Sequence, residues 1–232
     1  MSSSQEMLFF GMEIAPEVTE ERFNDWYDNE HVPLRLTLAG LNAVTRYKAT
    51  DGQVPTWLTM YDCETAAVFT SEAYASIAAL ASDNEKEILT KITGMSRRIY
   101  RHLSTNTAPG VSEESLPSKF ILVAGLEVSE GDEDELNKWY SEEHIDMLSK
   151  IPGWRQCRRY KIIEYKQVGA VMEGKPVCKY LAIHEFEKGD FLQTPELQNA
   201  TATDWAKRMM SKVVNHEKRV FALHKGCKSL SK

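Results

Sequence analysis

No apolar run in this 232-residue chain approaches the length of a membrane-spanning helix. The longest, Phe120–Leu126, is far too short to cross a bilayer. Residues Met1–Glu6 are mostly polar and no basic segment leads into an apolar one, so a secretory leader is not expected. Cysteine is scarce. Cys63, Cys157, Cys178 and Cys227 show no C-x-x-C spacing and read as reduced thiols of a cytoplasmic protein. The Asn199-Ala200-Thr201 sequon is then idle. Positive charge is in deficit, with 28 Lys+Arg against 34 Asp+Glu, which argues against a nucleic-acid partner. G-x-G-x-x-G, the P-loop and G-x-S-x-G are all missing, so dinucleotide, phosphate and serine-hydrolase chemistry lack support. H-E-x-x-H is missing too, and the six histidines show no close ligand spacing; neither a metal nor a cofactor is expected.

What the chain does contain is itself, twice. Trp26-Tyr27-Asp28-Asn29-Glu30-His31 returns as Trp139-Tyr140-Ser141-Glu142-Glu143-His144, an offset of 113 that persists to Arg46-Tyr47-Lys48 and Arg159-Tyr160-Lys161. Trp57–Asp62 matches Tyr180–Glu185 at 123, and Arg97–Tyr100 matches Lys218–Phe221 at 121. Upstream, Gly11–Ile14 matches Gly125–Val128 at 114, and four ordered blocks mark a duplication. The expected organisation is a first repeat over 1–103, a Ser/Pro-rich linker over 104–118 and a second repeat over 119–232. The second repeat carries ten extra residues around Val168–Pro176, expected as an enlarged loop. Residues 1–115 hold 9 Lys+Arg and 17 Asp+Glu, while 116–232 hold 19 and 17, opposite tendencies that favour the halves docking on each other.

Each repeat reads β-α-β-β-α-β. Met7–Ile14 and Phe120–Val128 have the short, apolar character of buried strands. Thr19–Leu38 places Phe23, Tyr27, His31, Leu34 and Leu38 on one helical stripe, matched by Leu136, Tyr140, His144, Met147 and Ile151. Thr19 is the expected N-cap, Pro33 is expected to kink or interrupt the helix, and Gly40 to end it. Leu41–Ala49 and Thr56–Cys63 follow as strands, with Trp154–Ile163 and Cys178–Phe186 as counterparts. Second helical regions begin near Ser71 and at Thr194-Pro195, continuing over Asn84–Thr93 and Asp204–Asn215. Arg97–Leu103 and Lys218–His224 complete the order of a split βαβ fold. Along the third strand Leu58 and Met60 predict the face toward the helices. Trp57, Thr59 and Tyr61, matched by Tyr180, Ala182 and His184, predict the other face, covered by the sheet of the other copy.

The pattern F-x-x-W-Y-x-x-E-H-x-P-L over Phe23–Leu34, with the later R-Y pair, resembles the helix-one signature of the dimeric α/β-barrel superfamily, particularly its EthD-like branch. The resemblance covers nearly the whole chain, once per repeat. The second repeat departs from it at Asp146 and Met147, which replace Pro33 and Leu34. It implies an α+β fold in which two tandem ferredoxin-like βαββαβ repeats close into a pseudo-dimeric α/β barrel of antiparallel sheets. It implies a substrate between sheet and helices, with a histidine and tyrosines moving protons.

The candidate catalytic residues are His31 as general acid or base and Tyr27 and Tyr61 as its phenolic partners. Candidate substrate contacts are Arg46 as a carboxylate anchor, with Tyr47, Trp57, Tyr140, His144 and His184. A structural reading stands beside each: a satisfied core histidine for His31 and His144, packing for Trp26 and Trp139. For Glu30 and Glu143, ion pairs with Arg46 and Arg159 are expected. No cysteine has a visible partner histidine. The function these residues suggest is a cofactor-independent enzyme acting by proton transfer (cyclisation, isomerisation, dehydration or decarboxylation) on a small hydrophobic aromatic or polyketide-like metabolite. A cofactor-free monooxygenase and a non-catalytic ligand-binding or stress-related protein are the alternatives. The expected partner is that small metabolite, without nucleic acid or membrane, and the chain is expected as a monomer or homodimer.

Overall fold

The computed structural model describes residues 5–228. Met1–Ser4, which carry much of the leader expectation, lie outside the described residues. The first repeat runs β1 (Glu6–Ile14), α1 (Glu20–Trp26), α2 (Val32–Arg35), β2 (Leu41–Ala49), β3 (Trp57–Cys63), α3 (Glu72–Ala79), α4 (Asp83–Thr90) and β4 (Ile92–Thr107). The second runs β5 (Phe120–Val128), α5 (Glu133–Trp139), α6 (Ile145–Leu148), β6 (Trp154–Val168), β7 (Tyr180–Phe186), α7 (Pro195–Ala202), α8 (Asp204–Met210) and β8 (Val213–Lys228). The fold is α+β, and the strands form a closed antiparallel barrel in the order β1-β3-β2-β8-β5-β7-β6-β4.

The described residues divide into two compact units. One holds 5–102, 163–175 and 224–228; the other holds 103–162 and 176–223. In the first unit β1 lies between β3 and β4, with Leu8 opposite both Tyr61 and Ile99. The second unit repeats the pattern, with Leu122 opposite His184 and Val220.

Local chemistry explains the helix starts. Thr19 caps α1 by accepting from the Arg22 amide at 3.2 Å. Ser71, Ser82, Thr194 and Thr203 cap α3, α4, α7 and α8 in the same way. The long first helix is interrupted, though not as expected. Residues Tyr27–His31 form one π turn, in which the Val32 amide bonds the Tyr27 carbonyl. Tyr140–His144 forms the same turn in the second repeat, where Asp146 stands in place of Pro33. Proline is therefore not its cause.

The faces of β3 are the reverse of the expectation. Trp57 packs on Phe23 of α1 at 5.4 Å between ring centroids, and Tyr61 reaches Tyr27, so the aromatic face of β3 meets the helices. Tyr180 and Ala182 likewise join the cluster of Leu136, Trp139 and Tyr140. Leu58 and Met60 are buried on the opposite face. Alternation reveals that a strand has two apolar faces, and not which one a helix covers. Here the helix stripe is itself aromatic and selects the aromatic side.

Candidate active site

The first unit holds a partly open cavity of about 510 Å³ between sheet and helices. Tyr27, His31, Arg35, Tyr61 and Glu85 form its polar wall, and Leu8, Phe10 and Phe69 are among its apolar lining. The π turn sets the geometry. It brings His31 against Tyr27, with ring centroids 4.6 Å apart, and both against Trp26. From β3, the Tyr61 hydroxyl meets the Tyr27 hydroxyl at 2.6 Å. Burial raises the pKa of both phenols, so they remain protonated donors at neutral pH.

His31 Nδ1 lies 3.3 Å from Glu85 Oε1. The same oxygen accepts from Arg35 at 3.2 Å, while Glu85 Oε2 accepts from the Trp26 indole at 3.3 Å. The hydrogen bond from His31 holds the Glu85 carboxyl down to about 2, overcoming the opposing effect of burial. Burial lowers the pKa of His31, assisted by the Arg35 charge and opposed by Glu85. At neutral pH the imidazole is thus neutral. A carboxylate accepts only, so Nδ1 carries the proton, and Nε2 keeps its lone pair with no hydrogen-bond partner among the described residues.

The other candidates stand elsewhere. Arg46 is buried outside the cavity wall, paired with Asp28, donating to Asn24 at 2.9 Å and stacked on Tyr27 at 4.2 Å. Arg35 is the cation that reaches the cavity instead. Trp57 packs beside Arg46 and His224. Tyr47 is buried on β2, one position from Arg46 and so on the other face of the sheet. The expected pairing of Glu30 with Arg46 is not formed. Glu30 accepts from Ser82 at 2.6 Å and Glu143 from Thr203 at 2.7 Å. In each repeat this glutamate ties helix one to the N-cap of the last helix. Trp26 and Trp139 pack as expected and also donate, to Glu85 and Glu143 respectively.

The second unit has its own cavity, of about 380 Å³, lined by Tyr140, His144 and His184. His184 is fully engaged. Its Nδ1 lies 3.3 Å from the Trp154 indole nitrogen, which only donates, so the ring proton sits on Nε2, facing Cys157 Sγ at 3.7 Å. This contact supplies Cys157 with the histidine partner that spacing alone did not reveal.

Glu85, Arg35 and the Cys157–His184 contact were missing from the sequence reading. The duplication held a signal for the first two. At the offsets of their blocks, Glu85 corresponds to Ala206 and Arg35 to Leu148. A charged pair in one copy thus stands against an apolar pair in the other. Among the described residues, no group of three or more His, Cys, Asp or Glu side chains is placed to hold a metal ion.

No family model matches the chain, and no curated protein matches it. Solved structures do. An anthrone oxidase-like protein aligns with a TM-score of 0.65 at 10% identity, over 99% of this chain and 95% of that one. A candidate monooxygenase from Lactobacillus acidophilus NCFM aligns at 0.58 and 10% identity, over 97% of each chain. A mutant chlorite dismutase from Candidatus Nitrospira defluvii aligns at 0.56 and 10% identity, over 97% of this chain and 93% of that one. The chain shares the ferredoxin-like, dimeric α/β-barrel fold of these proteins. At such identities the likeness is one of fold alone.

Proposed function

We propose that the first repeat is a cofactor-independent enzyme site that moves protons on a small hydrophobic aromatic or polyketide-like metabolite. The observation that carries this reading is a neutral His31, oriented by Glu85, beside the hydrogen-bonded Tyr27–Tyr61 pair on one largely apolar cavity. His31 Nε2 takes a proton from a carbon or hydroxyl adjoining a carbonyl. One phenol donates to the other, whose own O–H donates a hydrogen bond to the oxyanion that develops. The imidazolium, held by the Glu85 carboxylate, then returns the proton at another position, giving isomerisation, ring closure or loss of water. The EthD-like character of the Phe23–Leu34 motif belongs to this reading, since that motif supplies both Tyr27 and His31. So does a reducing cytoplasmic setting, which suits four free thiols.

The test is proton exchange on a probe, anthrone, whose C10 hydrogens are acidic. The chain is expected to accelerate exchange of these hydrogens with D2O, followed by NMR. His31→Ala is expected to reduce the rate about 100-fold or more while leaving the far-UV spectrum unchanged. Equal rates in a folded variant would remove His31 from the mechanism. Dioxygen uptake with formation of anthraquinone and water would shift the reaction class to a cofactor-free oxygenase, with His31 generating the same carbanion. Saturable binding without exchange or oxygen uptake would leave a ligand-binding protein.

A further inference from the structure

In each repeat the tyrosine of the π turn lies under an arginine of the next strand. Arg46 stands over Tyr27 at 4.2 Å and Arg159 over Tyr140 at 4.0 Å. The two arginines hold the same register, Arg46 opposite Thr59 on β3 and Arg159 opposite Ala182 on β7. Each donates through Nη2 to the asparagine three residues before that tyrosine, to Asn24 at 2.9 Å and to Asn137 at 2.8 Å. Both are buried, with exposures of 2% and 5%.

Their other nitrogens differ. Nη1 of Arg46 donates to Asp28, the second residue of the π turn. Asp28 also lies 3.0 Å from His224 Nε2 and 3.6 Å from Lys225 Nζ. In the second repeat Ser141 occupies that place in the turn, and its hydroxyl turns back to the Lys138 carbonyl. At the offset of 121, His224 and Lys225 correspond to Leu103 and Ser104. The second repeat thus lacks the carboxylate and the two further cations that share it, and retains the arginine. Among the described residues no carboxylate pairs with Arg159. Arg46 Nε is sealed off without a partner, but the Nε and Nη1 of Arg159, likewise without one, remain accessible. Burial lowers the pKa of Arg159, so its charge is held against desolvation.

We infer that the second repeat binds a small carboxylate on Arg159, the carboxylate standing where the Asp28 side chain stands in the first repeat and tying the π turn to β6 as Asp28 ties its own turn to β2. A guanidinium edge with two N–H donors matches a carboxylate in geometry and charge. Ser141 is exposed and shorter than aspartate, so an anion reaches this place from solvent. The fit is to a carboxylate rather than to a phosphate dianion, because no second cation is on offer. Lys161, two residues along the same face of β6, is held with Lys179 by Glu133. Neither Arg159 nor Ser141 belongs to the proposed active site, so this site stands whether or not that one is catalytic.

The experiment uses the full chain with arginine labelled at Nε, titrated by NMR with sodium acetate and, separately, with sodium chloride at equal ionic strength. Saturable movement of the Arg159 Nε–H resonance, identified by its loss in Arg159→Gln, is expected with acetate and not with chloride. The thermal midpoint is expected to rise with acetate and level off in wild type, and to show no such rise in Arg159→Gln. Ser141→Asp supplies the carboxylate from the chain itself. It is expected to raise the midpoint in chloride and to weaken acetate binding at Arg159 by about ten-fold or more. Ser141→Ala, which supplies no charge, is expected to keep the wild-type response. Far-UV spectra establish that the variants are folded. No saturable movement in wild type, equal responses to acetate and chloride, or an undiminished acetate response in folded Ser141→Asp would each overturn the site.

Discussion

Glu85 holds three donors on one buried carboxylate, from His31, Arg35 and Trp26. Its environment in sequence, Ser82-Asp83-Asn84-Glu85, is that of a helix start with Glu at the third position, where the carboxylate usually turns back to the cap. Here only the Glu85 amide serves the cap, and the side chain turns inward to a histidine 54 positions away. Glu85→Ala leaves the Arg35 guanidinium, 6% exposed, without its counter-ion and is expected to cost about 3 kcal/mol in urea unfolding. The pH dependence follows from the sign of the shift. The Glu85 pKa falls from 4.5 in the unfolded chain to about 2 when folded, so its contribution is complete above about pH 4.5 and disappears as pH drops through about 2. Unfolding curves of wild type and Glu85→Gln are expected to converge across that interval. A gap that stays constant from pH 7 to pH 2 would show that the carboxylate is not held as described.

At the scale of elements, the π turn decides which side chains meet. A regular helix through Thr19–Leu38 accounts for the apolar stripe, and the stripe is what the sequence displays. The extra residue per turn is not displayed, because it alters the phase by less than one position. Pro33 seemed to explain any interruption, yet the second repeat makes the same turn without it. Pro33 is exposed, and Asp146 stands at the equivalent place beside the same turn in the second repeat. Pro33→Asp is accordingly expected to shift stability by no more than about 1 kcal/mol and to leave the Tyr27–His31 contact in place. Thr19→Ala, which removes an observed cap, is expected to cost about 1 kcal/mol. Thermal unfolding of the two variants checks both figures. A loss several times larger for Pro33→Asp would return the proline to a shaping role.

At the scale of the whole molecule, the duplication, the order of strands and helices and the histidine of each turn were legible, because each repeats in the chain. Which face of β3 meets a helix was not, since Trp57, Thr59 and Tyr61 alternate with residues that are equally buried. Nor was the use made of the ten-residue insertion. It reads as a loop, but β6 continues to Val168, and Ala170–Met172 follows as a short 3-10 turn. Val168 and Gly169 line the first cavity, so the insertion borders it. The join is close. Gly169 has φ of 96°, and a Cβ there would collide with the Thr93 carbonyl oxygen; a Cβ on Gly94 would collide with Val171. Gly174, further along the insertion, has φ of 70° but open space around it. Gly174→Ala should therefore cost only the left-handed backbone penalty, about 1 kcal/mol. Gly169→Ala carries that penalty and must also push the segment off Thr93. The expected result is faster amide hydrogen exchange over 163–172 and several-fold weaker anthrone binding in the first cavity. Equal exchange in the two variants would mean that the segment lies against the cavity without closing it.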